Sequence, residues 1–340
     1  MAYQNVGTPK FYISWGDWYK SLGYDVKRNH TISPVETYSH ELFADNEVGL
    51  YYEDDGTGIS TIPPNGSYGV NFLAVLNHNL DARWRFINKR QVTDNQDFGT
   101  ELNQDGIVSV NNNTVDYQGF SLFTHTGLSE DYSSYSEEKI YSGFRTATFG
   151  ELADESFTGI FGCYVWGKYF EMPHSPDLKL TMTREMDGVK RIRTKGGTDL
   201  VNHRYTKPAP WGVAGVWELY SGTPTNQALS RVGRRTWDLN FSYLQDSDIF
   251  PDVSSLTNYG VEGYLDTDPI SDNTLLDEDT FYSQVIHKTN GGQLPFIFQP
   301  DSSNNNPDGF AICKFDMNSF KFKQVANGVY NIKLKIREVW

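Results

Sequence analysis

Basic residues, cysteines and long apolar runs are all scarce in this chain of 340 residues. Twenty-nine lysines and arginines stand against 43 aspartates and glutamates, a net charge of −14. An acidic surface repels phosphates, and phosphate attraction dominates nucleic-acid binding, so nucleic acid is excluded as a partner. No apolar run approaches the roughly 20 residues that cross a bilayer, so no membrane insertion is expected. The first segment, MAYQNVGTPKFYISWGDWYK, has no charged stretch followed by an apolar one, and no signal peptide is expected. The two cysteines, Cys163 in GCYVW and Cys313 in AICKF, lie in strand-like runs and read as buried free thiols.

Chemical motifs are missing as well. The chain has no phosphate-cradling GxxxxGK[ST], no zinc-binding HExxH, no GxSxG elbow and no CxxC. Its seven histidines are scattered, with none at ligand spacing, so no metal and no cofactor is expected. A glycosidase pair needs two carboxylates about 5–9.5 Å apart. Glu171, Asp54, Asp55, Glu185 and Asp187 qualify by residue type alone and read as solvated loop or strand faces. The oxygen-rich stretches DSSNNNPDG (301–309) and DTDPISDN (266–273) lack the bidentate glutamate of a calcium loop and read as solvated turns.

Aromatic residues and turn formers are plentiful. There are 21 Tyr, 21 Phe and 8 Trp, with 30 Gly and 14 Pro between short apolar runs. Aromatics suit half-buried pleated surfaces, and the mixture predicts an all-β protein of sandwiches or barrels. The length allows two domains at roughly 100–200 residues each. Pro208 and Pro210 in YTKPAPWGVAG mark a break between them. Residues 1–25 read as aromatic and irregular, with one helical turn in DWYKSLG, and residues 128–156 as mixed with a short helix. TFYSQVIHKTNGG reads as helical. In LKLTMTREM apolar and polar residues alternate, and the Asp-Gly of MDGV predicts a hairpin to VKRIRT. Trp237, Leu239, Phe241 and Tyr243 alternate with Asp238, Asn240 and Ser242, as on one face of a strand.

The clearest pattern closes the chain. Phe320 and Phe322 alternate with Lys321 and Lys323, and Tyr330, Ile332, Leu334 and Ile336 with Asn331, Lys333, Lys335 and Arg337. Asn327-Gly328 between them suits a type I′ turn, so an antiparallel hairpin with one apolar and one basic face is predicted. Residues 310–340 carry a net charge of +4, which leaves −18 for the rest. Lys321, Lys323, Lys333, Lys335 and Arg337 are therefore candidates for contact with acidic surface on a neighbour. The alternation breaks at Glu338, and Trp340 ends the chain as a candidate docking aromatic. Elsewhere the strand NFLAVLNHNL runs into Asn77-His78-Asn79, which reads as a strand end capped by Asx turns. Trp84, Phe86, Trp166 and Tyr169 are candidates for stacking on sugar.

Two stretches, VNFLAVLNHNL and FGCYVWGKYFEMPHSPDLKLTMTREMDGVKRIRTKGG, resemble the jelly-roll part of tail-associated structural proteins of tailed bacteriophages, of marine and cyanobacterial type. GRRTWDLNFSYL, TNGGQLPFIFQP and the closing stretch from Phe310 are similar to their C-terminal part. Together these stretches make up about half the chain. The resemblance implies a non-enzymatic virion component of the distal tail or baseplate, built into a ring or hub with copies of itself and other tail proteins. It implies a jelly-roll-like β-sandwich over 1–205 and a second β domain over 206–340 that ends in the hairpin. It implies no catalytic residues. A virion-displayed module for host-surface glycan and a polysaccharide-degrading enzyme are the alternatives.

Overall fold

A computed structural model describes residues 5–22, 38–42, 47–48, 72–78, 84–91, 115–117, 120–124, 139–146, 157–185, 189–203, 233–254, 275 and 278–339. The described residues are mostly strand, arranged around one large antiparallel sheet. The strands are β1 (Lys10–Ser14), β2 (Tyr38–Leu42), β3 (Glu47–Val48), β4 (Phe72–His78), β5 (Trp84–Gln91), β6 (Val115–Tyr117), β7 (Phe120–Thr124), β8 (Lys139–Thr146) and β9 (Phe157–Glu171). They continue with β10 (Thr181–Glu185), β11 (Val189–Arg193), β12 (Asp199–His203), β13 (Arg234–Gln245), β14 (Phe296–Gln299), β15 (Ala311–Phe315), β16 (Phe322–Ala326) and β17 (Val329–Glu338). Helices are few among the described residues: α1 (Trp15–Ser21), α2 (Asp246–Ile249), a π-helix over Tyr282–His287 and a 3₁₀ turn over Pro307–Gly309. None in the described residues is long and apolar enough to cross a membrane.

The large sheet has twelve strands, in the order β10-β13-β17-β15-β14-β1-β9-β4-β7-β6, with β16 also on β17 and β2 also on β9. It is continuous across the residue 205 break, because β1, β9 and β10 hydrogen-bond into the same sheet as β13 to β17. Its middle strands explain their own sequences. Phe11 and Ile13 face one core and Tyr12 the opposite one; Phe296 and Phe298 oppose Ile297; Ala311, Cys313 and Phe315 oppose Ile312. Strands covered on both faces need unbroken apolar runs, and FYI, FIF and AIC supply them. Residues 10–14, expected to be irregular, are thus a central strand.

The sheet curls in both directions. Trp237 on β13 and Phe298 on β14 are three strand steps apart, about 14 Å on a flat sheet, yet their rings lie 5.2 Å from each other. On the other face, Phe120 of β7 lies 5.0 Å from Phe310, next to β15. That pair is five strand steps apart, roughly 24 Å on a flat sheet. One lobe therefore closes over Phe11, Trp237, Phe298 and Ile336, with Phe281 and Val285 from the π-helical region. The other closes over Tyr12, Phe72, Leu122 and Val165, and the two share β1, β14 and β15. Gly167 permits the tight join of β1 and β9, since a Cβ there would sit 2.1 Å from the Ile13 carbonyl oxygen.

Several local expectations change. β10 pairs with β13, while β11 pairs with β12 as a separate two-stranded ribbon, so no β10–β11 hairpin forms. Within the mixed stretch 128–156, residues 139–146 are strand, and the rest lies outside the described residues. In β13 the register shifts between Phe241 and Leu244, and Tyr243 takes φ 64. That bulge turns Tyr243 outward at 74% exposure and puts Leu244 in the core at 1%. At Asn327-Gly328 only Gly328 has positive φ (65), so the turn is not type I′. A register irregularity between Gln324 and Ala326 takes up the difference.

Candidate interaction surface

The closing strand is held from both sides. β13 lies along one edge of β17, while β16 and β15 share the other edge. Ile332, Leu334 and Ile336 point into the core, and Glu338 continues the same parity at 6% exposure. The break in the sequence pattern is thus a buried charge at the last residue of β17. Arg235 meets it: its Nε donates to Glu338 Oε2 at 3.1 Å and an Nη to Oε1 at 3.0 Å, and its backbone N–H adds a 2.8 Å bond. The remaining guanidinium donors reach the carbonyls of Asp308 and Phe310. A buried pair is tolerable when geometry and extra hydrogen bonds offset desolvation, as they do here. Beside it, burial and the Glu338 carboxylate push the Cys313 thiol well above its ordinary range.

The outer face of β16 and β17 carries the predicted lysines, but not all of them are available. Lys335 Nζ lies 2.6 Å from Asp316 Oδ2, and Arg337 donates twice to Glu185 Oε2, at 3.0 and 2.6 Å. Asp238 on β13 also stands opposite Lys335. Lys321, Lys323 and Lys333 are exposed and make no ion pair among the described residues. Trp340 lies outside the described residues. The basic face is therefore three exposed lysines, Lys333 on β17, which the Arg235–Glu338 pair holds to β13, and Lys321 and Lys323 just before and on its neighbour β16.

The aromatic candidates lie on two different sheets. Trp84 and Phe86 lie on β5, in a separate three-stranded sheet with β3 and β8, whereas Trp166 and Tyr169 lie on β9 of the large sheet. The side chains of Trp84, Phe86 and Trp166 lie outside the described residues. Tyr169 packs 5.6 Å from the Tyr12 ring with Lys10 Nζ 5.1 Å from its own, so it is engaged within the sheet. Glu171 pairs with Lys10 at 3.3 Å and Glu185 with Arg337, while Asp54, Asp55 and Asp187 lie outside the described residues. Asn77 is buried with φ 54 one residue before the end of β4.

The 301–309 loop satisfies its own oxygens. Asp301 accepts from Asn5 Nδ2 at 3.1 Å and from the Ser303 backbone and hydroxyl at 3.0 and 2.6 Å. Asn304 Oδ1 accepts twice from Asn306. No group of three metal-ligating side chains gathers among the described residues. Burial raises the Asp301 carboxyl, but the Ser303 and Asn5 hydrogen bonds outweigh this and hold it below its ordinary 3.8. Against α1, Lys288 is buried between Trp15 and Trp18, with Nζ 4.9 and 5.7 Å from their rings. Neighbouring His287 is lowered from its ordinary 6.5 by burial and by Lys288. A folded state that resists protonating His287 loses stability as pH falls below 6.5, and one that favours ionised Asp301 loses more below 3.8. Thermal melts should be level from pH 7 to about 8, fall in those two steps as pH is lowered, and fall again above the ordinary thiol value of 9.0, where buried Cys313 resists ionisation. His287→Gln should remove the first step alone; its persistence would place the titration elsewhere.

Sequence reasoning passed over two features here. The parity of Ile332, Leu334 and Ile336 put Glu338 on the buried face, and that was the available signal for a partner cation. Nothing local linked Lys288 to two tryptophans some 270 residues away. Comparisons with protein families, curated proteins and solved structures find no match for this chain.

Proposed function

We propose that this chain is a non-enzymatic structural component of a tailed-phage virion, a ring or hub subunit of the tail or baseplate. It would assemble in the bacterial host cytoplasm with copies of itself and with other virion proteins. The lobe around β4, β7 and β9 is read as jelly-roll-like, and the lobe ending in β16 and β17 as the second β unit. The observation that carries this reading is charge separation on a rigid frame. Lys333 points outward from β17, which a buried ion pair ties to β13, and Lys321 and Lys323 are exposed on and just before the neighbouring strand β16, on a chain whose net charge is −14. Fixed charges of this kind steer association and set register. The resemblance described above supplies the virion setting.

Lys323→Glu with Lys333→Glu tests it. Both side chains are exposed, so circular dichroism and melting temperature should stay within error of wild type. Incorporation into particles, followed by electron microscopy, should be lost. Normal assembly would remove the hairpin face from the interface. A glycan array and an assay on envelope polysaccharide should both be blank; binding or turnover there would favour the receptor or enzyme reading.

A further inference from the structure

The bulge in β13 exchanges two side chains. Continued alternation after Trp237, Leu239 and Phe241 would fill the core with Tyr243; instead Leu244 goes in and the Tyr243 ring goes out, 74% exposed. The ring stacks on no other and its hydroxyl makes no hydrogen bond among the described residues. The backbone is strained to achieve this. Three non-glycine residues among those described have positive φ, and two of them are asparagines, which tolerate it. The third is Tyr243 at φ 64, where a bulky side chain is an outlier. Side chains brace the distortion. Asn331 Oδ1 accepts from the Tyr243 N–H at 3.0 Å, Ser242 Oγ donates to Asp177 Oδ2 at 2.8 Å, and the Asp177 N–H donates to the Asn240 carbonyl at 2.8 Å. A strained and braced residue that adds so little packing at home points to a role outside its own fold.

The surroundings of the ring say what it would meet. Phe241 pairs with Ile332 and Leu244 with Tyr330, so Ser242 and Tyr243 together stand opposite Asn331. Asn331 in turn stands opposite Lys323 on β16. Lys333, two residues along β17 and on the same face as Asn331, stands opposite Asn240. A projecting aromatic ring is thus bordered by two amides and by two lysines that make no ion pair among the described residues. That is the make-up of a contact anchor in a polar rim. The chain outside residues 310–340 carries −18, so a second copy has the opposite charge to offer. We infer that Tyr243 anchors a contact between copies of this chain, its ring seated in an acidic surface of the second copy and Lys323 and Lys333 meeting carboxylates around it. The two surfaces differ, so the contact is head-to-tail and propagates until rotation closes a ring. The inference rests on the assembly reading and adds the residue on which the contact turns.

Sedimentation of the purified full chain over a range of concentration and salt tests this. Wild type should self-associate, and less so in high salt, which screens exposed charge. Tyr243→Asn should weaken association roughly thirtyfold, as loss of an aromatic anchor does. The same variant should hold or raise the melting temperature, because asparagine suits the positive φ. Tyr243→Phe should associate like wild type, since the ring supplies the contact. Lys323→Glu with Lys333→Glu should also weaken association. A loss with the lysine variant and none with Tyr243→Asn overturns the anchor and leaves the assembly reading standing. A loss in Tyr243→Phe as deep as that in Tyr243→Asn overturns the ring as the contacting group. A wild type that is monomeric at every concentration and salt overturns docking on a second copy, and incorporation of the same protein into particles then decides the assembly reading separately. A glycan array bound by that monomer, and not by Tyr243→Asn, would give the ring to sugar instead.

Discussion

Glu338→Ala should cost about 3–5 kcal/mol of stability, read as a lowered denaturant midpoint, because it strands a buried guanidinium. Arg235 is 7% exposed and spends three of its contacts on that one side chain. The carbonyls of Asp308 and Phe310 would remain, but they carry no full charge to offset a buried cation. The damage should spread, since the pair joins β13, β17 and the turn before β15. Replacing both partners together, Arg235→Met with Glu338→Leu, should recover most of the loss, as apolar substitutes of similar volume often do. A single-variant loss under about 1 kcal/mol would match a solvated pair and contradict the buried geometry.

Trp237→Ala should cost a similar amount, about 3–5 kcal/mol, by opening a cavity that rigid strands cannot close. Trp237 is 1% exposed, packs edge-on against Phe298 and lies 5.3 Å from the Arg235 guanidinium. It is the side chain that bridges the curl between β13 and β14. Tyr243→Ala in the same strand is the control. The bulge places it outside, so its removal should change stability by no more than about 0.5 kcal/mol. Equal effects at the two positions would mean that the strand does not bulge and that the alternation read from sequence continues through Tyr243.

What could be read in the sequence was what strand parity and turn chemistry report locally. The alternation from Ile332 to Ile336 placed those side chains correctly, and all-β character followed from aromatics among turn formers. Non-local choices were not legible. The two-residue period cannot show a bulge, because Tyr243 and Leu244 are both plausible core residues until the partner strand is known. An Asp-Gly turn after β10 argued for a hairpin, but edge pairing with β13 takes Met182 onto the core that Trp237 builds. The unbroken apolar runs of β1, β14 and β15 indicated burial on both faces without saying that one sheet joins both halves of the chain. Of the surface, the lysines were visible as a stripe. That Asp316 and Glu185 claim two members of the basic face depends on contacts 19 and 152 residues apart.

Those contacts narrow the functional reading to exposed charge held on fixed strands. Under the proposed assembly, Lys321, Lys323 and Lys333 are the exposed charge that would meet acidic surface on a neighbour. Association is therefore the property on which the structural reading stands. The mass of the purified full chain in solution, by light scattering across concentration and with images of the same sample in the electron microscope, measures it directly. The expected result is a closed oligomer of one chain with a uniform outline. A single monomeric species at every concentration, with turnover of a polysaccharide, would contradict it.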